Sequence, residues 1–276
     1  MSYNNKMIFK LIKNNDIKNI RTLLNSNKSD FLTFYNEHET ALSLSYNLDR
    51  EEMFNLFIDF NLFTYDKSII KHIILDKKNN SSYKIKYLDF IFKINKLDRK
   101  SDILQLIIEE SEKELFNYFL GKGANRKPNG IPLFWIALRM DNFDMMNFIL
   151  DNPSSPIKYN RDITLSNSNR TIWEDVFLFN NNINTILTKL SFLLNRNVDI
   201  NFKNPDTGEN ILIFIIQSIF PSKLKEFIPI FNLLVENEID VSSKNLNNLS
   251  SLDILDSKKD YFDNEFDFIV IKSIFD

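Results

Sequence analysis

The sequence predicts an all-α chain, an α-solenoid of about seven to eight stacked helix pairs. Three observations predict it. Apolar residues recur at i, i+3 and i+4 through segments of about ten residues. Polar turns rich in Asn, Asp and Ser, the residues that cap and end helices, separate those segments. One order of events also recurs at a spacing of about 40 residues. An apolar run from Ile183 ends in Leu193-Leu194; a polar break at Asn195-Arg196-Asn197 follows, then Val198-Asp199-Ile200-Asn201. A polar turn through Asp206 and Gly208 leads to a new apolar run at Asn210-Ile211-Leu212. The same order returns at Leu233-Leu234, Glu236-Asn237-Glu238, Ile239-Asp240-Val241 and Ser250-Ser251-Leu252.

The pairs are justified one by one along the chain. Met7, Ile8, Leu11 and Ile12 make one helical stripe, and Ile17, Ile20, Leu23 and Leu24 the next, with Asp16 placed to cap the second. Thr40–Tyr46 and Glu51–Phe60 repeat the plan; Asp49 with Glu52 reads as a capping pair, and the second helix ends near Asn61. Ile69, Ile70, Ile73 and Ile74 give a stripe, and Tyr87–Ile94 another. Ser101–Glu110 and Lys113–Leu120 form the next pair, closed by Gly121-Lys122-Gly123 as a helix C-cap. Pro132 falls in the first turn of a helix reaching Met140, and Phe143–Leu150 follows. Residues 153–170 read as an extended loop. Thr171–Phe179, Ile183–Leu194 and Asn210–Phe220 resume the pattern. In Lys223–Glu236 the internal Pro229 implies a kink or a later helix start. Ser250–Asp256 and Asn264–Phe275 close the chain, with an acidic end that suits a terminal cap.

The recurring order resembles the ankyrin repeat, "LL, polar, polar, G, A-D-V-N, turn, D-G-x-T-P-L-H-x-A". Asn197-Val198-Asp199-Ile200-Asn201 is similar to its G-A-D-V-N part, and Gly208-Glu209-Asn210-Ile211-Leu212 to G-x-T-P-L. Gly123-Ala124-Asn125 with Gly130-Ile131-Pro132-Leu133 is a second match, and Glu39-Thr40-Ala41-Leu42 a third. The T-P-L-H box is intact in none of them, and Ile215 and Ile216 stand where the family has small residues. Only four glycines occur, so Asn61 and Asn197 are expected to supply left-handed backbone at helix ends. The resemblance implies one solenoid over 1–276, with units 1–36, 37–66, 67–100, 101–128, 129–165, 166–206, 207–247 and 248–276. It also implies a protein-protein interaction module or scaffold whose partner protein docks on a concave side made of turn tips and first helices. The contact residues expected at the tips are Asn125, Arg126, Lys127, Lys203, Asp206 and Lys244; on first helices they are Trp135, Arg139 and Gln217.

Composition narrows the function classes. The net charge of −3 gives no general basic or acidic field. Without cysteine there are no disulfides, thiolate metal sites or cysteine nucleophiles, in keeping with a cytoplasmic or nuclear setting. Neither a signal-like start nor an apolar run of membrane length is present. Asn is roughly 14% of the chain, far above ordinary usage. No H-E-x-x-H, G-x-S-x-G or phosphate-binding glycine loop occurs. The reading is therefore of no enzyme, with no cofactor, no metal and a monomeric state.

Four features carry a sharper alternative. His38 and His72 read as a turn residue and a half-buried helix residue rather than as metal ligands or bases. The run Glu109–Glu114 reads as a solvated inter-helix turn rather than acid–base machinery. Residues 67–100 hold roughly ten Lys or Arg against three Asp, with Tyr83, Tyr87 and Phe90 interleaved. That segment defines the alternative function of nucleic-acid binding, beside that of a non-catalytic subunit of an enzyme complex. Trp135 and Trp173 would be interaction hot spots if exposed, but their helical spacing favours the core.

Overall fold

The computed structural model describes residues 3–26, 31, 39–64, 68–95, 103–124, 131–152, 170–179 and 182–275. Among them are sixteen α-helices and no strand. The helices make eight pairs, in agreement with the sequence reading, and fall into two compact units, Met1–Arg126 and Lys127–Asp276. No described helix is long and apolar enough to cross a membrane.

The first unit contains α1 (Tyr3–Lys13), α2 (Ile17–Ser26), α3 (Ala41–Asn47), α4 (Glu51–Asp59), α5 (Ser68–Leu75), α6 (Ser81–Ile94), α7 (Ile103–Glu109) and α8 (Lys113–Gly121). First helices stack on first helices, α1 on α3, α3 on α5 and α5 on α7. Second helices follow suit, α2 on α4, α4 on α6 and α6 on α8. This order defines an α-solenoid stack. Helices this short are marginal alone in water, so each depends on burying its stripe against its neighbours. Phe54, Phe57, Tyr87, Ile91, Phe116 and Phe119 have essentially no solvent exposure, and each such side chain contributes about 1.5–3 kcal/mol.

The second unit contains α9 (Leu133–Arg139), α10 (Phe143–Asp151), α11 (Ile172–Leu178), α12 (Ile183–Asn195), α13 (Ile211–Ser218), α14 (Ile228–Glu236), α15 (Ser251–Ser257) and α16 (Glu265–Ser273). Its first helices stack in the order α9, α11, α13, α15, and α12 packs on α14. A 3₁₀ turn over Pro221–Phe227 precedes α14, so Pro229 lies in the first turn, where a missing amide donor is harmless. Ile215 and Ile216 of α13 are buried.

The turns follow from backbone chemistry. Asn15, Asp49, Ser111 and Asp141, each between the two helices of a pair, have positive φ. So do Asn61, Gly123, Asn197 and Glu238, each just past a second helix. Asn61 and Asn197 thus take the left-handed position expected of them, because their short polar side chains tolerate it. Caps set the other ends. Thr40, Thr171 and Ser250 form reciprocal capping boxes with Ser43, Glu174 and Asp253, and Asn210 accepts from the Ile213 amide.

Several expectations are corrected here. Asp49 does not cap α4; its carboxylate accepts from the Tyr83 and Tyr87 hydroxyls at 3.0 and 2.9 Å. Pro132 is the N-cap of α9 rather than a residue of its first turn. The C-terminal helix is not simply polar, since Phe266 and Ile269 are 66% and 54% exposed. His38 and the loop 153–169 lie outside the described residues.

Candidate partner-binding surface

Two turn tips of the second unit carry Lys203, Asp206 and Lys244, three of the contact residues expected from the sequence. Each tip is organised by a buried asparagine that the motif reading passed over, Asn204 and Asn245. The Asn204 Oδ1 accepts from the Asp206 amide at 2.8 Å and the Thr207 amide at 3.3 Å. The Asn245 Oδ1 accepts from the amides of Asn247 and Leu249, both at 3.0 Å. Side chains that satisfy their own turn's amides fix its shape without a sheet. The residues immediately before the two asparagines are Lys203 and Lys244, and both are exposed.

The tips are locked to each other. The Leu246 amide donates to the Thr207 carbonyl at 2.9 Å, and the Lys203 ammonium donates to the Lys244 carbonyl at 3.2 Å. Gly208 is required at this contact: its φ is +71°, and a Cβ there would lie 2.9 Å from the Leu246 nitrogen. Asn201 adds a second clasp, donating to the Glu238 carbonyl at 3.1 Å and accepting from the Asp240 amide at 2.7 Å. Asn210 donates to the Asp240 carbonyl at 3.0 Å.

Beneath the tips lies a buried polar layer. Asn204 donates to the Glu174 carboxylate at 2.7 Å, whose other oxygen accepts from the Thr171 amide. Glu209 is also buried. Burial pushes its carboxyl above the usual range; a bond from Thr207 opposes this, the Glu174 charge adds to it, and a bond from the exposed Gln217 opposes it again. Gln217, in the last turn of α13, is thereby linked to the first tip through Glu209.

The other expected contact residues separate. Asp206 is exposed on the first tip. Trp135 is fully buried and takes no part in an exposed surface, a correction that follows from the apolar neighbours of α9. Trp173 is buried too, its indole N–H donating to the Asp199 carbonyl at 2.9 Å. Arg139 is committed within the fold: its fork donates to both oxygens of the buried Asp175 at 2.8 and 2.7 Å and lies over the Phe179 ring. Asn125, Arg126 and Lys127 lie outside the described residues.

The charged segments found in the sequence largely answer each other. Lys77 pairs with Glu110, Lys84 with Glu112 at 2.6 Å, and Lys86 with Glu51. Lys84 is fully buried and also donates to the Ile74 carbonyl at 3.1 Å. Lys189, equally buried, pairs with Asp141. Residues Glu109–Glu114 are therefore more than a solvated turn, and the basic stretch gives up part of its positive face to intramolecular pairs. His72 sits half-buried beside Asn47, with its Nε2 2.8 Å from the amide oxygen. Among the described residues no three His, Asp or Glu side chains converge as a metal site.

A pocket lies where α11 and α13 finish. Phe177, Ile183, Ile186, Ile219 and Phe227 line it together with Ser218, Lys223 and Glu226, and Phe220, also in the lining, is 76% exposed.

No protein-family model matches the chain, and no curated protein does. Among solved structures it is similar to the ankyrin repeat domain of Bcl-3, a member of the IkappaB protein family. The two are 14% identical with a TM-score of 0.39, over 86% of this chain and 100% of the other. The stacking order of the helices, rather than this likeness, carries the fold class.

Proposed function

We propose that the protein is a non-catalytic, ankyrin-repeat-like interaction module that binds a partner protein on the tip surface of residues 197–250. One observation supports this most. Two polar tips are held by buried asparagines and by each other, leaving Lys203, Asp206 and Lys244 displayed to solvent. A surface already ordered before binding loses little further conformational entropy on docking. Its mixed charges favour a polar partner surface, recognised by complementarity rather than by bulk hydrophobicity.

The test is affinity purification from the native cell with wild type and Lys203→Glu/Lys244→Glu. The partner bound by wild type is expected to be lost from the variant while its circular dichroism spectrum stays unchanged. A photo-crosslinker at position 244 is expected to capture the same partner directly. The pocket beside Phe220 supports a second reading, in which an amphipathic segment docks there, its apolar side chains on Phe220 and Phe227 and its polar ones on Lys223 and Glu226. Loss of the partner from Phe220→Asp, with full retention by the tip variant, would assign binding to the pocket and overturn the tip assignment.

A further inference from the structure

The last helix pair does not finish the way a solvated end should. Helix α16 buries Phe268 and Ile271 against its own unit. Three residues apart on another face it exposes Phe266 and Ile269, and Tyr261 in the preceding turn is 73% exposed. Large apolar side chains grouped this way mark a surface that another molecule covers. Acidic groups accompany them: Asp260 and Asp263 are exposed and have no ion-pair partner among the described residues.

Helices α1 and α2 offer the complement. Lys6, Lys10, Lys18 and Arg21 are exposed and lack ion pairs among the described residues, while the one acidic residue there, Asp16, is bound to Asn19. Lys6 and Lys10 are four apart on α1, and Lys18 and Arg21 three apart on α2, so each pair forms a stripe. Met7, 39% exposed, lies between the α1 lysines.

We propose that the protein self-associates head to tail, the α16 surface of one copy docking on the exposed faces of α1 and α2 of a second copy. Phe266 and Ile269 supply apolar burial, and Asp260 and Asp263 meet the basic stripes. Two different surfaces are used, so the contact is heterologous and propagates into open chains or a ring. Charge across the contact makes it sensitive to salt.

Sedimentation velocity over a concentration series tests this. Wild type is expected to gain mass with concentration, and about 0.5 M salt to weaken association about tenfold. Phe266→Asp/Ile269→Asp and Lys10→Glu/Lys18→Glu/Arg21→Glu are each expected to be monomeric and to keep the wild-type circular dichroism spectrum. Mixed together, they retain one good surface of each kind and are expected to form a 1:1 dimer that grows no further. A wild type that stays monomeric throughout overturns the proposal. So does association that survives the α1–α2 substitutions, because that contact would be α16 on α16.

Discussion

At the scale of single residues, backbone conformation and buried acceptors decide the most. Glu238 has φ of 63° and an exposed side chain at a position where Gly123 and Asn197 stand in other pairs. A β-carbon is disfavoured there, so Glu238→Gly is expected to stabilise the fold by about 0.5–1 kcal/mol in urea denaturation. Gly208→Ala has the reverse sign, about 1–3 kcal/mol of lost stability, since it combines positive φ with a clash against backbone. The tyrosines of the first unit set an alkaline limit. Burial chiefly pushes Tyr83 from 10.0 up to about 12; its bond to Tyr87 works against this and the Asp49 carboxylate with it. Tyr46, Tyr87 and Tyr118 are raised further, again mainly by burial. Above pH 10 the unfolded chain has already shed phenolic protons that the folded chain keeps, so stability falls as pH rises. Denaturation midpoints are expected to hold up to about pH 10 and drop steadily towards pH 12. Left-handed Asn61 and Asn197 were legible in the sequence, because helix ends and the scarcity of glycine are local facts. The role of Asp49 was not, since its two tyrosine partners lie more than thirty residues away.

Individual elements are short, and their ends carry much of their stability. Helix α11 has seven residues and begins at a buried reciprocal box between Thr171 and Glu174. Thr171→Ala removes the cap and disturbs Glu174, which also holds Asn204. It is expected to cost about 1–2 kcal/mol by chemical denaturation. Contacts between pairs test differently. Lys84 of α6 is buried and reaches Glu112 at the start of α8. Glu112→Ala leaves a buried ammonium without its counter-charge and is expected to cost about 3 kcal/mol, whereas Lys84→Met is expected to be within about 1 kcal/mol of wild type. Periodicity placed all eight helix pairs, and Pro229 left a kink or a late start open for α14, of which the structure shows the late start. The same periodicity could not place Lys84 and Lys189 inside, because a charged residue at a helical position reads as solvent-facing unless its distant partner is known.

For the molecule as a whole, charge pairing matters more than charge content. The basic segment 67–100 meets glutamates from both flanking pairs, at Glu51 on one side and Glu110 and Glu112 on the other. Phosphate binding would require cations left for counterion release. With Lys77, Lys84 and Lys86 paired, the segment is expected to add little to the affinity for a duplex or single-stranded oligonucleotide, so that Lys77→Ala/Lys86→Ala leaves the fluorescence anisotropy titration unchanged at low salt; a loss of salt-dependent binding in that variant would restore the nucleic-acid reading. Of the proposed contact residues, Lys203, Asp206, Lys244 and Gln217 are exposed, whereas Trp135 is in the core and Arg139 is held by Asp175. By itself the sequence determined the all-helical class, the pairing of helices and the chemistry of their turns, for these depend on residues within a few positions of one another. Only the tertiary structure decided which carboxylate each lysine meets, how the two tips clasp, and which apolar side chains stay in water. Those outcomes depend on groups brought together from adjacent pairs some thirty to forty residues apart, and no local pattern records them.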